Sequence, residues 1–396
     1  MVGARFCRIQ FNRGRNYCQF KAIKVESKSV AKRGGAGTDN KRFSIIIPTY
    51  KEHDNIGPLV ERVNQALSGY EYQMVFIDDN SNDGTEELVS SLAQKYPVKI
   101  VVRRDKKGLA SAVVDGLQHV DGDIVGVMDA DLQHPPEVLL ALLRGVTDGA
   151  DIAIASRYVK GGSCEGWGLT RRLISKGAIT MAHVLLPATR KIKDPMSGYF
   201  LFRKRALDGA NLKPAGYKIL LEMLAEGNFQ RVMEVPYTFD TRSRGKSKLK
   251  VKTQVDYLKH LLSLMKRTGE LTRFLKFILV GLSGIGVNQG LLWALIEKRG
   301  LQLLAANAVS IEVSIITNFI LNDIFTFRDR RTMTAKATLW RWFKYNTVAL
   351  PGAGINYGVT YGLTTFAGIP YLISNLIGIV LATLWNYILS TVWAWK

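Results

Sequence analysis

Three cysteines in 396 residues, Cys7, Cys18 and Cys164, are too few and too scattered for a disulfide framework. None stands in a C-x-x-C pair, which removes the usual structural zinc site and suits a reducing compartment for the soluble part of the chain. Acid is scarce: 33 Asp and Glu stand against 54 Lys and Arg, a formal net charge of +21. Such an excess suits nucleic acid, an anionic membrane surface or anionic substrates. Its distribution decides between them. One basic run extends from Arg5 to Arg33 and another from Arg242 to Arg267, directly before an apolar region. Cations beside apolar spans point to lipid headgroups, so a bilayer is the expected partner and nucleic acid is not. The first 42 residues have no apolar stretch, so no signal peptide is expected, and this basic, glycine-dotted arm reads as disordered.

Long apolar runs are missing up to about Lys250 and dominate from Arg273 onward, so the mean hydropathy of +0.03 averages two unlike parts. In the first part, short apolar runs begin at Phe43, Met74, Val98, Ile124 and Ile152, with helix-like stretches at 55–67, 84–95, 108–119 and 136–147. Strands apolar on both faces and separated by helices predict an α/β domain over 43–250, a mainly parallel sheet covered on both sides. Ligands then bind beyond the carboxyl ends of the strands.

The second part is duplicated. Arg273 recurs 68 residues on as Arg341, and Lys276, Gly284, Asn307, Asn318 and Phe327 as Lys344, Gly352, Asn375, Asn386 and Trp395. Each copy holds two stretches of the roughly 20 apolar residues a bilayer requires. Four transmembrane helices are expected near 274–296, 303–325, 343–366 and 371–393, making an all-α domain over 273–396. The loop between spans two and three carries Arg328, Arg330, Arg331, Lys336, Arg341 and Lys344 against Asp329. The positive-inside rule therefore predicts both termini and the α/β domain to be cytoplasmic, at the plasma membrane of a prokaryote or the endoplasmic reticulum of a eukaryote. Residues 251–272 predict an amphipathic helix along the membrane surface, with Val255, Leu258, Leu261, Leu262 and Met265 as its apolar stripe.

Asp129 and Asp131 follow directly after an apolar strand, where two carboxylates one residue apart can approach one divalent cation, and Gln133 can add an oxygen. Magnesium or manganese suits such hard ligands. His134 reads as a loop residue. Asp79 ends another strand and suits hydrogen bonds to a nucleoside, while Asp83 reads as a helix cap. Tyr50 and Glu52 leave the first strand through Pro48, in a turn able to hold a base. Glu312, an acid within span two, invites a functional reading, and a place in the bundle interior opposite a polar partner would also explain it.

Three segments, Ile45–Glu52, Ile77–Thr85 and Met128–Glu137, together resemble the inverting GT-A glycosyltransferases, most of all the dolichol-phosphate mannose synthases. Ala155–Gly162, Asp194–Phe200 and Thr241–Leu249 extend the resemblance across 43–250. It implies a Rossmann-like domain in which Pro48, Tyr50, Glu52, Asp79 and Ala130 belong to the nucleotide-sugar site. Asp129, Asp131 and Gln133 hold the metal, and Arg157, Arg171, Arg242 and Lys248 face phosphates. Region 273–396 is similar to the GtrA-like four-helix membrane proteins, which are linked with polyprenyl-bound sugars.

A phosphate monoester acceptor is already mostly dianionic at neutral pH and needs little deprotonation. The obstacle is charge, met by a cation on the donor diphosphate and arginines on the acceptor. Asp129, Asp131, Arg157 and Arg171 are accordingly the catalytic candidates, for transfer of mannose from GDP-mannose to dolichyl phosphate. Two alternatives stay open: a UDP-glucose donor in the same fold, and a lipid-linked sugar flippase or scaffold with an inactive transferase domain.

Overall fold

The computed structural model describes residues 5–8, 43–105, 108–213, 216–240 and 251–395. They form two compact units, one up to Thr268 and one from Gly269.

The first unit runs β1 (Arg5–Arg8), β2 (Phe43–Thr49), α1 (His53–Ala66), β3 (Tyr72–Asp78), α2 (Thr85–Leu92), β4 (Val98–Val102), α3 (Leu109–Gly116) and β5 (Ile124–Val127). It continues with α4 (Leu139–Thr147), β6 (Ile152–Ser156), β7 (Ser163–Cys164), α5 (Leu169–Leu185), β8 (Phe200–Arg203), α6 (Ile219–Glu226), β9 (Arg231–Pro236), β10 (Thr238–Phe239) and α7 (Val251–Arg267). Eight strands make one sheet in the order β1-β9-β6-β8-β5-β2-β3-β4. Alternate residues of β2 serve its two faces: Ile45 and Ile47 join the core under α1 and α4, and Ile46 the core under α3 and α6. A Cβ at Gly116 would lie 2.7 Å from the Ile46 side chain, so glycine is what lets α3 close on the sheet.

β2, β3, β4 and β5 are mutually parallel, as are β6 and β9. β8 runs antiparallel between β5 and β6. Its first residue, Phe200, pairs with Val127 and Ile154, so the segment entering β8, Asp194–Tyr199, arrives at the carboxyl ends of both neighbours. No apolar pattern signals that reversal, because β8 is as buried as the parallel strands.

One sequence expectation is corrected in this unit. Part of the arm read as disordered, Arg5–Arg8, adds an antiparallel strand to the edge of β9, whose backbone groups would otherwise lack partners; residues 9–42 lie outside the described residues. The amphipathic helix α7 also packs on the α/β unit. Tyr257, His260, Leu261, Leu264 and Met265 are buried, and Tyr257 donates to the Ala178 carbonyl at 2.7 Å. Val255, Leu258 and Leu262 remain exposed.

The second unit is helical: α8 (Glu270–Trp293), α9 (Leu303–Leu321), α10 (Ala335–Ala367) and α11 (Tyr371–Leu389). The duplication becomes two helical hairpins. Gly284 of α8 lies against the Asn318 side chain of α9, where a Cβ would approach to 2.3 Å. Gly352 of α10 repeats this against Asn386 of α11 at 2.4 Å. The aromatic core is made of equivalent pairs, Phe277 with Tyr345, Phe319 with Tyr387 and Phe327 with Trp395. The last two rings stack at 4.5 Å. Three helical stretches, Glu270–Lys298, Leu303–Thr326 and Tyr371–Ala394, are long and apolar enough to cross a membrane. The stretch expected to form span three lies within α10 but is not among them, since its apolar residues are interrupted by Pro351 and by repeated Gly, Thr and Tyr. Glu312 is exposed on α9 instead of facing its hairpin partner.

Candidate active site

The loops after β2, β3 and β5 are tightly wound. Among the described residues, the four non-glycine residues with positive φ are Lys51, Asn80, Asn82 and Leu132, all in these loops. Left-handed backbone costs a non-glycine residue energy, and its concentration at three neighbouring strand ends marks a constrained site. Ser81 ties two of the loops together. Its hydroxyl donates to Asp78 Oδ1 at 2.5 Å and accepts from the Lys51 amide at 2.8 Å.

Tyr50 is exposed beside this junction, and Glu52 accepts from Asn55 Nδ2 at 2.6 Å. Pro48 lies within β2. Asp79 is buried and already engaged: Arg103 Nε donates to it at 2.9 Å and the Gly108 amide at 2.7 Å. Arg103, which the sequence reading passed over, also reaches Asp115 and Ser111, each at 3.0 Å. A nucleoside meeting Asp79 would thus meet a carboxylate whose orientation is fixed.

Asp129, Ala130 and Asp131 follow β5 after Met128, with Ala130 and Asp131 buried. The Gln133 amide donates to Asp131 Oδ1 at 3.2 Å. Gln133 Nε2 donates to the Asp240 carbonyl at 2.9 Å, leaving the amide oxygen as the end able to meet a cation. His134 lies in the loop after β5, as expected, and is buried there. Its ring stacks on Tyr199 at 5.1 Å, and its Nδ1 accepts from the Asp129 amide at 3.3 Å. Burial pushes it down to about 4, so it is a neutral wedge beneath the Asp129 loop at physiological pH.

The donor set fits magnesium or manganese. It consists of two carboxylates and an amide oxygen, and the described residues contain no group of three or more His, Cys, Asp and Glu able to cage a metal unaided. Such a cation completes its shell from water and phosphate. Space is kept for it by Gly198, whose Cβ would lie 3.2 Å from Asp129 Oδ2.

The cationic half of the site begins after β6. Arg157 donates to Asp194 through Nε and Nη2, each at 2.8 Å, and through its own amide at 3.0 Å. Burial opposes the charge, but Asp194 outweighs it, so the guanidinium holds its proton above the ordinary range. Its Nη1 has no hydrogen-bond partner among the described residues. Trp167 joins this group to Arg171: the two guanidinium carbons stand 5.4 Å and 4.2 Å from its ring centroid. Lys218 comes from a third direction, donating to the Met196 carbonyl at 2.8 Å. Burial, then Arg157, lowers it to about 8. Arg242 and Lys248, expected at phosphates, lie outside the described residues. Asp194, Trp167 and Lys218 were missed as site residues. Asp194 stands in a quoted motif, but no spacing rule pairs it with Arg157.

Two family patterns divide the chain as its structure does. "Glycosyl transferase family 2" matches residues 44–209, and "GtrA/DPMS, transmembrane domain" matches residues 276–395. A dolichol-phosphate mannosyltransferase of Pyrococcus furiosus is 48% identical over 354 residues, covering 89% of this chain and 99% of its own. One from Saccharomyces cerevisiae is 40% identical over 235 residues, covering 56% of this chain and 86% of its own. One from Mycosarcoma maydis is 36% identical over 251 residues, covering 60% and 84%. The chain is thus a membrane-anchored glycosyltransferase and belongs to the family of the dolichol-phosphate mannosyltransferases.

Proposed function

We propose that the protein transfers mannose from GDP-mannose to a dolichyl or other polyprenyl phosphate, inverting the anomeric centre, in the presence of Mg2+ or Mn2+. The observation that carries this reading is the juxtaposition of an anionic strand end, β5 with Asp129 and Asp131, and a cationic one, β6 with Arg157. It is joined to the family membership and to the names of the relatives.

A bound divalent cation supplies neutralising charge for the donor diphosphate. Asp129, Asp131 and the Gln133 oxygen would hold it. Tyr50 and Glu52 take the nucleoside, with Asp79 oriented by Arg103. Arg157, braced by Asp194, offers Nη1 to the acceptor phosphate, and Arg171 on Trp167 adds a second guanidinium. So held, a phosphate oxygen attacks the anomeric carbon as the bond to the diphosphate oxygen opposite it breaks. The electron pair leaves with the nucleoside diphosphate. A dianionic nucleophile needs no strong base, in keeping with the absence of a Ser-His or Cys-His arrangement among the residues at these strand ends. Cytoplasmic orientation of this unit, with Arg242 and Lys248 adding to the phosphate site, completes the proposal.

The test is transfer of labelled sugar to a short polyprenyl phosphate, with GDP-mannose and UDP-glucose in parallel. Label from GDP-mannose alone, in the inverted configuration, is expected. Label from UDP-glucose alone overturns the donor, and label from neither overturns both donor assignments for this acceptor and raises the scaffold or flippase alternative.

A further inference from the structure

The second unit carries a cavity remote in kind from the transfer chemistry. It measures about 440 Å³ and is lined by Gly269, Thr272, Arg273 and Lys276 of α8 and its cap, and by Phe325, Thr326, Arg328 and Asp329 beyond α9.

Its electrostatics are unbalanced. Arg273 and Arg330 are matched by Glu270 and Asp329: Arg273 Nη2 meets Asp329 at 2.7 Å, Arg273 Nη1 pairs with Glu270, and Arg330 Nη2 meets Glu270 at 3.1 Å. Lys276 and Arg328 are left over, with no acidic partner among the described residues. Lys276 instead lies 4.6 Å from the centroid of the Phe325 ring. Two polar atoms of the lining are also unsatisfied. Thr326, 4% exposed, has no hydrogen-bond partner for Oγ1, and the buried Arg273 Nε has no acceptor. A buried donor left unmet destabilises the fold unless a ligand meets it. The N-terminus of the 24-residue helix α8 adds further amides, since the first intrahelical bond is Arg273 N to Gly269 O.

The duplication supplies an internal control. At the equivalent place in the second hairpin the donors are consumed. Arg341, the counterpart of Arg273, donates through Nε to Asp323 at 2.9 Å and through its other nitrogens to Thr332 and Thr338. Ala394 replaces Thr326, and Lys344 donates to the Trp393 carbonyl at 3.1 Å. Among the described residues, the first hairpin alone keeps a hydroxyl at this place and a guanidinium edge without an acceptor; Lys396, the counterpart of Arg328, lies outside them.

We propose that this cavity binds the phosphate headgroup of an anionic membrane lipid. A phosphate oxygen is an acceptor-only group of the charge that Lys276, Arg328, Thr326 and Arg273 Nε together call for. The lining belongs to the polar end of two membrane-length helices, where such headgroups are concentrated.

The test uses the full chain purified in neutral detergent, with native mass spectrometry counting retained lipid. The probes are phosphatidylglycerol, phosphatidic acid, phosphatidylcholine and inorganic phosphate. Wild type is expected to retain at least one of the two anionic lipids and to discriminate against phosphatidylcholine. K276Q/R328Q should bind that lipid about tenfold or more weakly, and Thr326→Val should weaken it at unchanged melting temperature. K298Q/R299Q, which removes two charges at the other end of α8, should bind as wild type. Equal retention by wild type and K276Q/R328Q overturns the proposal, as does equal loss in K298Q/R299Q. Displacement of the lipid by equimolar inorganic phosphate overturns the lipid assignment and leaves a free-anion site.

Discussion

Arg157 is positioned by a residue 37 places further along the chain. Asp194 is fully buried and fixes two of the three guanidinium nitrogens, so it acts as a positioning residue for the nitrogen that remains. Asp194→Asn keeps the shape but removes the charge and leaves Arg157 paired with a neutral amide. Transfer should fall by about a hundredfold, with the acceptor KM rising and the donor KM nearly unchanged. Steady-state kinetics read this split, and a merely structural loss would move both KM values or neither. At this scale the sequence was informative where chemistry sits beside a strand end: Asp129 and Asp131 stand out because Ile124–Met128 is apolar and they are not. It was silent where partners meet across the fold. Nothing in the spacing of Asp79 and Arg103, or of Trp167 and the two arginines, says that they touch, because no helical or strand period relates them. The burial of His134 was hidden for the same reason, as its neighbours Tyr199, Tyr237 and Phe239 come from two later segments.

Among the elements, α7 shows how a helix with two apolar faces divides its loyalties. Its C-terminal half is anchored by Glu222, which pairs with Arg267 at 2.7 Å and faces His260 at 3.3 Å. Burial raises the Glu222 carboxyl, but His260, Arg267 and the Lys213 amide outweigh it, so it titrates below its usual 4.5. A depressed folded-state value means that the stabilisation is complete above the unfolded value and is lost as pH falls through the folded one. Melting temperatures between pH 6 and pH 3 should fall more steeply for wild type than for Glu222→Gln. At pH 7, Glu222→Ala should cost about 3 kcal/mol by stranding two buried partners. The membrane hairpins give a sharper test. Gly284→Ala and Gly352→Ala each push a methyl into an asparagine side chain, and each should lower stability by about 1–3 kcal/mol. Gly286→Ala, with nothing within 4 Å, should be near neutral in the same melting series. These pairs were visible as a repeat before they were visible as contacts. The antiparallel β8 was not visible, since a strand buried on both faces reads alike in either direction.

On the scale of the whole molecule, an α/β catalytic unit and a helical membrane unit are joined in one chain. Three membrane-length apolar helices hold it in the bilayer, so alkaline carbonate should leave the protein in the membrane pellet; recovery in the supernatant would contradict the anchoring. The division of labour was legible from composition, because acid, apolar runs and repeats are distributed unevenly between the two parts. The central claim concerns the catalytic unit, and its most direct test compares neighbouring positions. Initial rates of mannose transfer from GDP-mannose to polyprenyl phosphate, in saturating Mn2+, should be measured for wild type, Asp131→Ala and Ala130→Gly. A loss of at least about a hundredfold for Asp131→Ala, with Ala130→Gly retaining most of the activity, is the predicted result; equal rates for the two variants would contradict the account.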